Sequence, residues 1–185
     1  FKGRGVTLAI VDEGFYPHAD FVQPSNRIRA WVDATSDPVK TMFFDRQALP
    51  TWPEWDSGRN RQWHGTMTSA VAAGNGKMSH GLYRGLASEA DLVFIQVEND
   101  TQNIGDQAVV RALSWIADKG QELNIRVVNL SIGAEENNPA KEHPVNQAVQ
   151  RLVSKGVAVV AAAGNDGIRK LIPPASAAEA ITVGG

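Results

Sequence analysis

The chain has 185 residues, which suits one domain, and 43% of them are hydrophobic, enough for a sizeable core. Its 18 basic and 20 acidic side chains nearly cancel, so the sequence gives no electrostatic case for nucleic acid or a membrane surface as a partner. No cysteine is present, which excludes disulfides, thiolate catalysis and cysteine zinc sites.

Short apolar runs predict the strands. The first, Val6 to Val11, lies between Gly5 and Asp12 and is apolar enough to be buried on both faces. The same pattern predicts further strands at Ile28 to Val32, Asp91 to Val97, Arg126 to Leu130, Val157 to Ala163 and Ile181 to Val183.

Helical periodicity appears between the later strands. It predicts helices over Ile104 to Lys119 and Val145 to Lys155, and the alanine-rich segment Thr66 to Ala73 predicts a third helix. Alternating strands and helices predict an α/β fold with a mainly parallel sheet, whose functional residues gather at the carboxyl ends of the strands.

The long stretch from Phe15 to Trp63 is predicted to be mostly a surface loop, since Pro38, Pro50, Trp52 and Pro53 fall within it.

Three polar residues follow or precede these elements at positions suited to catalysis. Asp12 ends the first strand and is either a turn aspartate or a carboxylate that orients a base. His64 precedes the alanine-rich helix, where the helix dipole favours a neutral imidazole, so it is either an ordinary histidine or a general base. Asn165 follows the strand that ends at Ala163 and is either a turn residue or a donor to an oxyanion.

A fourth segment, Ser131, Ile132 and Gly133, follows the strand that ends at Leu130. It is either a strand end that pairs with an extended peptide or a core strand followed by a glycine turn.

In chain order, these segments resemble the motifs of the subtilisin-like serine proteases, the subtilases. The resemblance covers essentially the whole chain, and its histidine and asparagine motifs are the most specific parts. The matching segments are Gly5-Val6 through Asp12-Glu13-Gly14, His18-Ala19-Asp20-Phe21, His64-Gly65-Thr66, Ser131-Ile132-Gly133, Ala162-Ala163-Gly164-Asn165, Pro174-Ala175 and Ile181-Thr182-Val183-Gly184.

The resemblance implies a three-layer fold over residues 1–185 and an endopeptidase that acts on peptides or proteins. It implies that Asp12 orients His64, that His64 exchanges the proton of a serine, and that Asn165 donates to the tetrahedral oxyanion. The backbone of Ser131 to Gly133 would hold the substrate. No catalytic cofactor is implied, and a secreted or cell-envelope location is suggested by the resemblance alone.

The family often binds structural calcium, and the segment Gly74 to Gly85 falls near one such loop. The segment lacks a clear set of carboxylates, so we assign no metal to it.

The family's nucleophile motif, which resembles Gly-Thr-Ser-Met-Ala, does not occur. Ser131 and Ser176 are the nearest serines, and neither is a credible substitute. We therefore expect one partial catalytic domain, a sheet that is incomplete at the C-terminus, and no activity from this chain alone.

Two alternatives remain open at this point. A non-catalytic module with the same fold would bind extended peptides by strand addition. A different α/β enzyme would hold magnesium on Asp12 and Glu13, although no glycine-rich phosphate fingerprint is present. The loop histidines His80 and His143 are predicted to be exposed, and His18 is predicted to pack beside the first strand.

Overall fold

A computed structural model describes residues 1–47, 62–133, 142–165 and 171–184. Seven strands form one sheet in the order β3-β2-β4-β1-β5-β6-β7, and every neighbouring pair is parallel except β2 and β3. The strands are β1 Thr7–Asp12, β2 Ile28–Asp33, β3 Lys40–Phe43, β4 Asp91–Gln96, β5 Ile125–Leu130, β6 Ala158–Ala162 and β7 Ile181–Val183. The predicted α/β fold with a mainly parallel sheet is confirmed.

Within the described residues, four helices accompany the sheet: α1 Ala19–Val22, α2 Gln62–Ala73, α3 Asp106–Lys119 and α4 Pro144–Ser154. A 3-10 turn over Lys77–Ser79 follows α2. The two helices predicted from periodicity correspond to α3 and α4, and the helix predicted from the alanine-rich segment corresponds to α2. None of the helices in the described ranges is long and apolar enough to cross a bilayer.

The core lies in two parts, one on each face of the sheet, so that the fold has three layers. On one face, Ala9 and Val11 of β1 pack in the same cluster as the apolar sides of α3 and α4. On the other face, Leu8 and Ile10 pack with aromatic side chains and with Ala73 at the end of α2. Because side chains alternate along a strand, β1 feeds both clusters and is buried throughout.

The prediction of a surface loop from Phe15 to Trp63 is wrong for residues 15–47, and Gln62 and Trp63 belong to α2. Besides β2, which matches the strand predicted at Ile28 to Val32, residues 15–47 contain α1 and β3. The side chains of Phe15, Phe21 and Trp31 are fully buried. The ring of Phe15 stacks on Phe94 with centroids 4.4 Å apart. Pro38 does lie in a bend between β2 and β3, so its turn signal is local and does not extend to the aromatic residues. Pro50, Trp52 and Pro53 lie outside the described residues.

The exposure predicted for His143 is also wrong, whereas His80 is exposed as expected. The His143 side chain is fully buried, its Nε2 lies 3.2 Å from Asp106 Oδ2, and its Nδ1 accepts the Val145 N–H at 3.3 Å. His143 therefore caps α4 and ties the first turns of α3 and α4 together. His18 has a similar capping role, since its Nδ1 accepts the Asp20 N–H at 3.2 Å at the start of α1.

Candidate active site

Asp12 is the last residue of β1, at the carboxyl edge of the sheet. It follows Leu8 and Ile10 at the strand period of two, so its side chain lies on the face that carries α2. Asp12 is fully buried. A buried carboxylate is tolerated only where hydrogen-bond donors replace water, so its partners define what it can do.

Three donors surround the Asp12 carboxylate. His64 Nδ1 lies 2.6 Å from Oδ1, which also accepts the Glu13 N–H at 2.8 Å. Thr68 donates its hydroxyl to Oδ2 at 3.0 Å. When Nδ1 of a neutral imidazole donates to a carboxylate, the other ring nitrogen is left as a proton acceptor. The His64 side chain is 31% exposed, so an incoming group can reach it.

The pKa of His64 reflects two opposing effects. Burial of the ring lowers its pKa, but the hydrogen bond to Asp12 and the negative charges of Asp12 and Glu13 together outweigh burial, so the pKa is raised above its ordinary value. The Asp12 carboxylate thus stabilises the imidazolium form of His64, which a general base must form when it takes a proton.

Gly65 allows α2 to approach β1 closely. A Cβ at this position would overlap the carbonyl oxygen of Gly14 and lie 3.0 Å from both Asp12 Cβ and Phe15 Cε1. The next residue, Thr66, accepts the Tyr16 N–H at 2.8 Å and fixes the same contact. The glycine of the His-Gly-Thr motif is therefore needed so that the imidazole and the carboxylate can meet.

Thr68 is a site residue that the sequence analysis missed. It lies four residues after His64 on α2, so the two side chains share a helix face. That spacing was the available signal, although Thr66 and Ser69 carry hydroxyls in the same segment.

The other predicted site residues lie at the same edge of the sheet. Leu130 of β5 is in register with Val11, so Ser131 to Gly133 continue past β5 beside Asp12. Asn165 follows β6, the next strand along. With strands about 4.8 Å apart, β6 lies roughly 10 Å from β1. Asn165 is exposed, and no hydrogen bond within the described residues joins it to Asp12 or His64.

The two serines nearest these motifs are hydrogen-bonded elsewhere. Ser131 Oγ accepts from Asn129 Nδ2 at 2.9 Å, and Ser176 Oγ accepts from Asn146 Nδ2 at 2.9 Å. In the part of the chain that the structure describes, no serine hydroxyl is hydrogen-bonded to His64. The same part holds no group of three His, Asp or Glu side chains placed to share a metal ion.

Comparison with known proteins places the chain among proteases. The sequence profile of the Subtilase family matches residues 3–185. Serine protease AprX of Bacillus subtilis (strain 168) is 32% identical over 190 residues, which is 98% of this chain and 38% of AprX. Subtilisin Savinase of Lederbergia lenta is 28% identical over 98% of this chain and 56% of its own length.

Solved structures agree with the sequence comparison. The S41 psychrophilic protease and Sphericase each superpose with a TM-score of 0.74 at 26% identity, covering 98% of this chain and 53% of theirs. The chain thus spans about half the length of these two structures and less than two-fifths of the length of AprX. With the histidine and aspartate motifs joined in one site and the profile matched from residue 3 to residue 185, this chain belongs to the subtilase family of serine proteases.

Proposed function

We propose that the protein containing this chain is a serine endopeptidase and that Asp12, His64 and Asn165 are catalytic residues. The observation that carries the proposal is the 2.6 Å contact between His64 Nδ1 and a fully buried Asp12 carboxylate. This contact orients the imidazole and raises its pKa, as a general base requires.

In the proposed reaction, His64 Nε2 takes the proton of a serine hydroxyl as that oxygen attacks the carbonyl carbon of a peptide bond. The imidazolium, held by Asp12, then gives the proton to the leaving amine and the acyl-enzyme forms. The Asn165 side-chain amide donates to the oxyanion of the tetrahedral intermediate, and water later hydrolyses the ester by the same steps. The backbone of Ser131, Ile132 and Gly133 holds the extended substrate beside Asp12.

The proposal assigns the nucleophile to a serine outside these 185 residues. Its support is the hydrogen bonding of Ser131 and Ser176 to asparagine side chains, together with the fraction of each relative that the chain spans. The 185-residue chain by itself is accordingly proposed to be inactive.

A non-catalytic module that binds extended peptides is the second candidate. The observation in its favour is that no described serine meets His64. It leaves the buried Asp12–His64 pair without a use, although burying a carboxylate is costly. We therefore rank it below the endopeptidase.

The two candidates are separated by treating the intact protein with a fluorophosphonate, which labels only an activated serine. We expect labelling of one serine, loss of proteolysis of an unfolded protein substrate, and loss of labelling in His64→Ala. The matched control is His80→Ala, since His80 is exposed and lies at the opposite end of α2. Absence of both labelling and proteolysis in the correctly folded intact protein would contradict the endopeptidase.

A further inference from the structure

A cationic basin lies at the edge of the sheet opposite the candidate active site. It is a cavity of about 810 Å³ between the segments that enter β1, β2 and β4 and the loop that follows α2. Its basic lining consists of Arg4, Arg27, Arg46, Lys77, His80 and Arg84. A six-residue strand is about 20 Å long, so the basin is about that far from Asp12.

Carboxylates match only part of the basin's positive charge, since Arg46 is paired with Asp91 outside the lining. Glu89, the acidic residue in the lining, is already shared by Arg4 at 3.1 Å and Lys2 at 3.9 Å. In the described part of the chain, Lys77 and Arg84 form no ion pair with any carboxylate. This excess occurs in a chain whose overall formal charge is −2, so it is a local feature.

Arg27 supplies a fixed charge beneath the basin. It is only 6% exposed, and its two terminal nitrogens donate to the carbonyl oxygens of Ala90, Asp20 and Ala73 at 2.7–2.8 Å. Its Nε has no partner among the described residues. Burial lowers the pKa of Arg27, with Asp91 and Asp20 only partly opposing that effect. An added negative charge in the basin would therefore stabilise this buried guanidinium.

Calcium does not fit this basin. Calcium in proteins takes six to eight oxygen ligands, usually with several carboxylates. The lining has five permanently charged cations and one carboxylate, and that carboxylate is held by Arg4. The calcium that the family resemblance associates with Gly74 to Gly85 is therefore not supported by the residues present in this loop.

We propose that the basin binds a phosphate group carrying two negative charges, as in a phosphate monoester. Arginine forks match the geometry of phosphate oxygens, and Lys77 adds a mobile point charge at the rim. The volume is that of a site for a small molecule or a phosphorylated side chain, both of which present the same group. The proposal does not depend on catalysis, because the basin and the Asp12–His64 pair lie at opposite edges of the sheet.

The test titrates inorganic phosphate, free O-phosphoserine, a five-residue phosphoserine peptide and its unphosphorylated form into the intact protein by calorimetry, at constant ionic strength set with sodium chloride. The variant Lys77→Gln/Arg84→Gln removes the two unpaired cations, both of which are exposed, so folding is not at risk. The matched control, Lys119→Gln/Arg126→Gln, removes the same two charges from exposed or half-exposed positions outside the basin.

We expect saturable binding of at least one phosphate probe, at least tenfold weaker in the basin variant and unchanged in the control. Tighter binding of the phosphopeptide than of phosphoserine would identify a phosphorylated protein as the source of the group, and the reverse order would identify a small phosphomonoester. The proposal is overturned if chloride competes as well as phosphate, if the unphosphorylated peptide binds equally, or if both variants weaken binding alike.

Discussion

Strands β1 and β6 are both apolar and belong to the same sheet, but they differ in burial. β1 is the central strand, whereas β6 lies next to the edge strand β7. All six residues of β1 are buried, whereas in β6 only Val159 and Ala161 are. The central position of β1 places α2 on one of its faces and the core shared with α3 and α4 on the other. In the described part of the chain, β6 is covered by α4 on one face, and Ala158 and Ala162 remain exposed on the other.

The site residues follow this difference. Both carboxylate oxygens of Asp12, at the end of β1, form hydrogen bonds with neighbouring residues. In the described part of the chain, Asn165 beyond β6 has no hydrogen bond that would hold its side-chain amide in place. The exposed side chains of β6 lie on the same side of the sheet as α2. The α2 side chains Trp63, Met67 and Val71, which point away from the sheet, are also exposed. Two-sided packing of β1 thus sets the geometry of the Asp12–His64 contact.

The largest expected effect comes from Asp12, at the end of the doubly covered strand β1. In the intact protein, Asp12→Asn should lower kcat/KM by about 10⁴-fold, as the equivalent change does in serine proteases, because the amide favours the wrong tautomer of His64. Rates with a peptide anilide measure the loss. Asp118→Asn, an exposed aspartate on α3, is the control and should have no effect. A loss below tenfold for Asp12→Asn would mean that this carboxylate does not serve the reaction.

A smaller effect on the same reaction is expected from Asn165, which follows the partly exposed strand β6. Asn165→Ala should lower kcat by about 10²–10³-fold, the usual loss when one oxyanion donor is removed, with little change in KM. The separation of kcat from KM is the measurement. An equal rise in KM with unchanged kcat would assign Asn165 to substrate binding instead.

Shortening an isoleucine should cost more stability in the doubly covered strand β1 than in β7, which pairs with β6. Ile10→Ala in β1 removes a fully buried side chain and should lower the free energy of unfolding by about 2–5 kcal/mol. Ile181→Ala in β7, beside β6, removes a side chain that is 57% exposed and should cost less than about 1 kcal/mol. Urea unfolding of the 185-residue chain measures both. Equal costs would show that the difference in burial has no energetic meaning.

The contact between α2 and β1 should be sensitive to one methyl group. Gly65→Ala places a Cβ against Gly14 O and Asp12 Cβ, which should destabilise the fold by about 1–3 kcal/mol. The control is Gly105→Ala, where a Cβ meets no atom within 4 Å and only the N-cap preference for glycine is lost, so it should cost less than about 1 kcal/mol. Thermal unfolding compares the two, and similar melting temperatures would remove close packing as the reason for this glycine.

The sequence predicted the strands and helices whose apolar pattern is local. It did not predict that Phe15, Phe21 and Trp31 pack together, because their burial depends on β4 residues far along the chain. His143 was placed in solvent for the same reason, since its partner Asp106 belongs to another helix.

For the site, the motifs pointed to Asp12 and His64, and the structure brings those two together. Thr68 was not predicted, because its hydroxyl becomes important only once the Asp12 carboxylate is buried beside it. Burial turns an ordinary hydroxyl into a required donor, and burial is what a single sequence shows least directly.

The smallest expected effect is a change in the pKa of His64. It tests whether the buried Asp12 carboxylate at the end of β1 sets the protonation of the imidazole. The folded-state pKa is raised above the ordinary value of about 6.5, so catalysis by the neutral imidazole should increase with pH through a value above 6.5. The same shift stabilises the fold fully below the unfolded pKa, and that stabilisation is lost as pH rises through the folded pKa. In Asp12→Asn, burial still lowers the pKa but the charge and hydrogen bond of the carboxylate are gone, so the NMR titration midpoint should fall below that of the wild type. Asp118→Asn should leave it unchanged. An unchanged midpoint in Asp12→Asn would show that burial and Glu13, rather than the Asp12 carboxylate, set the protonation of the imidazole.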